Sequence, residues 1–299
     1  MAPACERCSV LRWLPVLQLA CAIVFSITAR ADPVSSGRDW RHIELEARKF
    51  LLVARSSVTV EAQSAEQATS QLVDVAGQRA LAVPASGAWR IDARSSAPGA
   101  NSHVTVWLAR DNLQLLQRER LDSIQGGRYK LTRILEDGSY GWQRRGSAAA
   151  RGTAPRDWPL KRERLHRAVR TGDCTDSLGL LLLSADLVRS ERVRSLARVC
   201  TDEGALDVAL TLQGDARQRI AHTRVQRGLR TRVESETVCR RVGMAVENGA
   251  QNADDFRLLG LTGRLQVCVD LETGAPLQLL GTEPMLGEFR IDATLIETD

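Results

Sequence analysis

Several stretches of the chain alternate apolar and polar side chains with a period of two. Leu206, Val208, Leu210 and Leu212 oppose Asp207, Thr211 and Gln213. Leu265, Val267, Val269 and Leu271 oppose Gln266, Cys268 and Asp270, while Phe289, Ile291, Ala293 and Leu295 oppose Arg290, Asp292 and Thr294. Earlier, Val104, Val106 and Leu108 share one face, and Tyr129, Leu131 and Leu135 lie opposite Lys130 and Thr132. This pattern predicts strands with one dry and one wet face. Gly126-Gly127 and Asp137-Gly138 predict tight turns with positive backbone angles, which makes residues 89–145 an antiparallel meander. The run from His42 to Ala47 predicts a further strand, and 62–75 a short helix.

Two segments break the alternation. Residues 159–169 are densely charged and predict a helix. Residues 176–188 contain Leu178, Leu180, Leu181, Leu182, Leu183 and Leu187, so a helix there is apolar nearly all round and must be buried. It is too short to cross a bilayer. Residues 146–159, rich in Ala, Gly and Pro, read as a linker.

The expected fold is therefore α+β and mainly β: one large antiparallel sheet, curled into a half-open barrel over the leucine-rich helix. Residues 32–299 make a single domain, with a first meander at 40–145, a linker and helices at 146–188 and a second meander at 190–299. Leu180, Leu183 and the dry-face Val208 stand nearest to where an apolar groove would open, and no contact is assigned to any of them.

Residues 1–31 have the layout of a secretory signal peptide: Arg7 and Arg12, an apolar stretch from Leu14 to Ile27, then Ala29-Arg30-Ala31. Cleavage after Ala31 would send the chain to the periplasm and leave no transmembrane span. The pair Cys5 and Cys8 falls inside this leader, and no second pair follows it at zinc-finger spacing. Cys21 lacks the aliphatic residue expected ahead of a lipidation site. Four cysteines remain, Cys174, Cys200, Cys239 and Cys268. An even number in an exported chain points to two disulfides. Of the three pairings, Cys174 with Cys200 and Cys239 with Cys268 close loops of moderate length. The alternation places Cys239 and Cys268 on the wet side of their strands, so their bridge is expected on the outer surface.

Of 299 residues, 41 are basic, but 38 of these are Arg and three are Lys (Lys49, Lys130, Lys161). Such a skew reads as base-composition bias. After leader removal the formal charge is +3, and acidic and basic residues are mixed throughout the sequence, which argues against nucleic-acid binding. Catalytic signatures are lacking. His42, His103, His166 and His222 stand in no metal-binding spacing, and residues 137–141 place Asp where a nucleophile elbow has its first Gly. Glu136-Asp137 and Asp254-Asp255 read as turn carboxylates. Trp89, Trp107, Trp142 and Trp158 read as cross-strand packing. No enzyme activity, cofactor or metal is expected.

Residues 86–299 resemble the DUF3108 family of exported bacterial proteins. The resemblance rests on Trp107-Leu108 with Leu115, Arg118 and Arg120; on Gly127-Arg128-Tyr129-Lys130, Asp137-Gly138 and Trp142; and on Leu180 to Ser184. It continues in Gly260 to Gly263, Val269-Asp270-Leu271, Gly274-Ala275-Pro276-Leu277, Gly287 and Ile291. That family is similar to periplasmic lipoprotein carriers, which implies a curved half-barrel with an internal helix but no activity and no site residues. The four cysteines and residues 146–159 depart from it. The expected function is a non-enzymatic periplasmic protein with no specific activity assigned, whose dry concave face is either packed shut by the 176–188 helix or opens to accept a lipid, acyl or other apolar group. The alternative is an envelope assembly factor that meets a protein partner through Trp142, Trp158 and the arginine-rich run 144–170.

Overall fold

The computed structural model describes residues 39–49, 52–123, 127–147, 152–166, 174–201, 204–247, 256–284 and 286–299. Residues 1–31, expected to be a leader, Gly126, Asp254, Asp255, and residues 148–151 and 167–170 of the run 144–170 lie outside them.

The first half builds strands β1 (Trp40–Lys49), β2 (Leu52–Gln63), β3 (Ala88–Ala97), β4 (Ala100–Ala109), β5 (Leu115–Asp122), β6 (Arg128–Leu135), β7 (Gly138–Arg145) and β8 (Leu160–His166). The second half builds β9 (Arg194–Cys200), β10 (Ala205–Arg219), β11 (His222–Gln226), β12 (Leu229–Val233), β13 (Glu236–Val246), β14 (Thr262–Asp270), β15 (Pro276–Glu283) and β16 (Gly287–Thr298). Helices α1 (Ala65–Gln71) and α2 (Gly179–Arg189) join them.

All sixteen strands belong to one sheet, in the order β8-β7-β6-β5-β4-β3-β2-β1-β16-β15-β14-β13-β10-β9. The pairings along this order are antiparallel. β11 alone runs parallel to its neighbour, lying beside the last residues of β16, and carries β12 on its other side. The two halves of the chain join at a central seam where Trp40 of β1 meets Thr298 of β16.

One face, called inner here, carries Ile43, Val58, Ile91 and Val106, then Ile291, Leu279, Val267, Val242 and Val208; all nine are buried. Helix α2 packs against β9, β10, β13 and β14, and Leu180, Leu181, Leu182 and Leu187 share one buried cluster with the inner strand residues. Its burial follows from leucines on every side. On the opposite face, α1 begins with a capping box in which the Ser64 hydroxyl accepts from Gln67 N–H and the Gln67 side chain accepts from Ser64 N–H. Ala68 of this helix covers Ala88, Trp107, Ala109 and Leu116 in a second, smaller cluster.

The sheet ends at β8 on one side and β9 on the other, and a short link draws these arms together. Leu115 N–H of β5 donates to Cys174 O, Thr175 N–H donates to Arg198 O of β9, and Cys200 N–H donates to Thr175 O. The Cys174–Cys200 disulfide fastens this link to the last residue of β9, with Cα atoms 5.3 Å apart. Cys239–Cys268 is the second bridge, 5.5 Å between Cα atoms. Both match the expected pairing.

Three expectations are corrected. Residues 160–166 form β8, an edge strand with every residue exposed, where a helix was expected. Both faces of this segment are polar, so it offers no hydrophobic period to read, and pairing with β7 decides. The turn expected at Asp137-Gly138 instead loops through Glu136-Asp137, because Leu135 pairs with Gly138, whose φ is not positive. The Cys239–Cys268 bridge is buried and does not sit on the outer surface. Its residues do face away from Val242 and Val267, but that face is covered: Arg224 of β11 reaches Asp270, and Gln278 opposite Cys268 is buried too.

Candidate functional site

Strand pairing carries the inner face into β5–β8, where its chemistry changes. Ile43 pairs with Val58, Val58 with Ala93, and Ala93 with Val104. The same row then continues through Arg120, Lys130, Gln143 and Arg162. The next row runs Ile91, Val106, Arg118, Thr132, Gly141 and Arg164. Side chains alternate strictly across a strand, so Arg118-Glu119-Arg120 and Arg162-Glu163-Arg164 each put two cations inward and one carboxylate outward. Glu119 accepts from Tyr129 at 2.7 Å, and Glu163 accepts from Tyr140, both on the outer face.

Two adjoining cavities lie over this basic surface. One, of about 370 Å³, is lined by Arg118, Arg120, Arg128, Lys130, Thr132, Ser177, Val199, Cys200, Thr201, Phe256 and Arg257. The other, of about 330 Å³, shares Lys130, Thr132 and Thr201 and extends to Ser139, Gln143, Arg162, Arg164 and His166. The floor is β5–β8. The facing wall is Ser177 at the start of α2, the end of β9 and Phe256-Arg257, held against β5 by the link at Cys174. Among the described residues that line the two cavities, none is Asp or Glu.

Carboxylates sit at the edge of this surface. Asp122 accepts from Arg120 Nε and from Arg128 Nη2, both at 2.9 Å, and from Ser102 Oγ at 3.0 Å. Burial works to raise its pKa, but the two guanidinium bonds outweigh that and hold it below the usual carboxylate range. Asp176, fully buried, accepts from Leu178 N–H at 2.9 Å and lies 3.4 Å from Arg118. Among the described residues no carboxylate lies within ion-pair distance of Arg162, Arg164 or Arg257.

Gly127, immediately before β6, has a φ of +95°, and its Cβ position is 2.7 Å from the Trp158 ring. Any side chain there is strained and collides. Trp158 in turn accepts from Arg144 through its carbonyl at 2.6 Å, and Trp142 packs edge-on against Tyr140. These tryptophans are half-buried and engaged. Leu180 and Val208 are fully buried, Leu183 is half-buried, and none of them lines a described cavity. A further cavity, about 670 Å³, crosses β1–β5 and is lined by Ser56, Ser95, Ser102 and both signs of charge.

Among the described residues no group of three His, Cys, Asp or Glu side chains is placed to hold a metal. His103 bonds Asp92 at 3.0 Å, and His222 is buried against Ile220 O. The cationic groove went unnoticed in the sequence because charges of both signs adjoin there. The repeated Arg-Glu-Arg at strand spacing was the signal. No protein-family model, no curated protein and no solved structure matches the chain.

Proposed function

We propose that this is an exported, non-catalytic binding protein of the cell envelope: a half-open β-barrel bent over α2, with its ligand site in the groove along β5–β8. The observation that carries the reading is the change along a single sheet face, dry where α2 covers it and open where the cover stops at Ser177. Two disulfides fit an oxidising compartment, since such bonds are rare in a reducing cytosol. The resemblance to DUF3108 proteins supports the same compartment. Buried Phe256 and Val199 border the groove and supply its apolar contact for an acyl ligand.

Native mass spectrometry of the protein taken from the periplasm tests this. The expected mass lacks residues 1–31 and four thiol hydrogens and carries a non-covalent adduct. A full-length, reduced and ligand-free chain overturns the reading.

A second reading, an assembly factor for an envelope protein, is favoured by β8: an edge strand with every residue exposed, and with no neighbour on its outer side among the described residues, invites a partner strand. In-cell crosslinking from Leu165 to a single dominant protein would support it.

A further inference from the structure

We propose that the recess under residues 72–83, on the outer face of the sheet, binds a small carboxylate with an apolar body and pairs it with Arg133. The site is separate from the β5–β8 groove and does not rest on it. Lys130 and Thr132 of β6 face inward, so alternation turns Arg133 outward. There the chain leading from α1 to β3 arches over it and is tied down on both sides. Val73 N–H donates to Gln117 Oε1 at 2.8 Å, Leu81 N–H to Ile134 O at 3.0 Å, and Glu136 N–H to Arg79 O at 3.0 Å. Beneath the arch is a cavity of about 420 Å³, with Leu72, Val75, Leu81 and Val83 in its lining. Among the described residues its charged lining groups are Asp74 and Arg133.

Arg133 is 5% exposed. Its Nη1 donates to Leu116 O at 2.6 Å and to Ile134 O at 3.4 Å, and its Nη2 donates to Leu81 O at 2.7 Å. A guanidinium carries two N–H donors on each Nη and one on Nε, so the buried Nε–H and one Nη2–H have no acceptor among the described residues. The three carbonyls are neutral, and no carboxylate among the described residues lies within ion-pair distance; the exposed Asp74 acts on Arg133 from beyond it. Burial pushes the Arg133 pKa down to about 10, which still leaves it charged at neutral pH. A buried cation with spare donors and no counter-charge is costly, and an anion completes it. A carboxylate offers two oxygens to neighbouring guanidinium donors. The rest of the wall selects among anions. A fully hydrated inorganic ion would lose water against Leu72, Val75, Leu81 and Val83 and gain nothing from them, and a second negative charge would meet Asp74. An aliphatic body instead gains by covering those residues. Two sources share this chemistry: a short fatty acid, and an apolar amino acid whose ammonium would meet Asp74.

Calorimetry of the disulfide-bonded protein with sodium hexanoate reads this directly. Hexanamide is the uncharged isostere, and acetate is the carboxylate without the apolar body. Hexanoate is expected to bind about tenfold tighter than either. By NMR, the Arg133 Nε–H resonance should move with hexanoate and stay in place with hexanamide. Ala82→Trp, at an exposed position in the lining, should fill the cavity and weaken hexanoate about tenfold while thermal unfolding stays unchanged. Arg133→Lys keeps the charge and loses the fork, and should weaken hexanoate by a similar factor. If that variant fails to fold, Ala82→Trp and the Arg133 resonance still decide. Arg230→Glu, exposed on β12, should leave the affinity within about twofold. Norleucine distinguishes the sources: binding tighter than hexanoate, with the gain lost in Asp74→Asn, assigns an amino acid, and weaker binding assigns a fatty acid.

Failure of both hexanoate and norleucine to bind, equal affinity for hexanamide, an unmoved Arg133 resonance at saturating hexanoate, or full affinity in Ala82→Trp overturns the proposal. None of these residues belongs to the β5–β8 groove, so that outcome leaves the reading of the groove untouched.

Discussion

The two arms of the sheet share one inner face and treat it in opposite ways. Along β1–β4, and along β10 and β13–β16, that face is largely aliphatic, with α2 packed on β10, β13 and β14; from β5 to β8 the same rows of paired residues turn mostly into arginine, lysine and neutral polar residues. The boundary lies at Val104–Arg120 and Val106–Arg118, between directly paired residues of β4 and β5. Helix α2 has 11 residues, so it is about 16 Å long, while the sheet path it would have to cover is fourteen strands wide. A short cover on a wide sheet leaves part of one face bare, and the bare part is stable only if it is polar. The difference between the arms is therefore a matter of reach. It separates residues that hold the fold together from residues free to serve a ligand.

Substitutions should respect that boundary. The largest loss is expected from Leu180→Ala in the sealed arm, about 2–5 kcal/mol by denaturant titration, since a fully buried leucine leaves a cavity. A cost below about 1 kcal/mol would mean that α2 does not seal this arm. Removing the Cys174–Cys200 bridge with two serines should cost roughly 2–4 kcal/mol, as its ends are 26 residues apart. It should also raise hydrogen exchange at the end of β9, where the arms meet.

Asp122 stands on the boundary. Its folded pKa is lowered, so its contribution is complete above the unfolded value of about 3.9 and is lost as pH falls through the lower folded value. Asp122→Asn should flatten the acid limb of the stability profile by on the order of 1–2 kcal/mol. An unchanged acid limb would show that Arg120 and Arg128 do not depend on this carboxylate. The smallest effect belongs to the open arm: Arg162→Gln with Arg164→Gln should shift stability by no more than about 0.5 kcal/mol. A larger loss would make those arginines part of the scaffold and erase the contrast.

Much of the sealed arm was legible in the sequence because burial leaves a period. Leu206 to Leu212, Leu265 to Val269 and Phe289 to Leu295 each lie within the strand their alternation predicts, and the leucine run is α2. The open arm was legible only in β6 and β7, where turns and apolar residues punctuate it. β8 has polar residues on both faces, so nothing in its own sequence distinguishes strand from helix; β7 supplies that information. Misreading it as a helix also scattered Arg162, Glu163 and Arg164 around a cylinder and hid the facial sorting of charge. The cysteines show a different limit. Alternation assigned Cys239 and Cys268 to the correct face, but only tertiary structure shows that β11 brings Arg224 over it.

The seam between β1 and β16 carries a kinetic meaning. Some 250 residues of chain separate its two sides, Trp40 and Thr298, and joining so distant a pair is slow compared with closing local hairpins. While the polypeptide emerges in order, β1 to β8 can zip hairpin by hairpin, and their aliphatic side meets α2 once residue 189 has appeared. β1 nevertheless keeps one edge without its partner for most of synthesis, and that ladder closes only when β16 slots beside it.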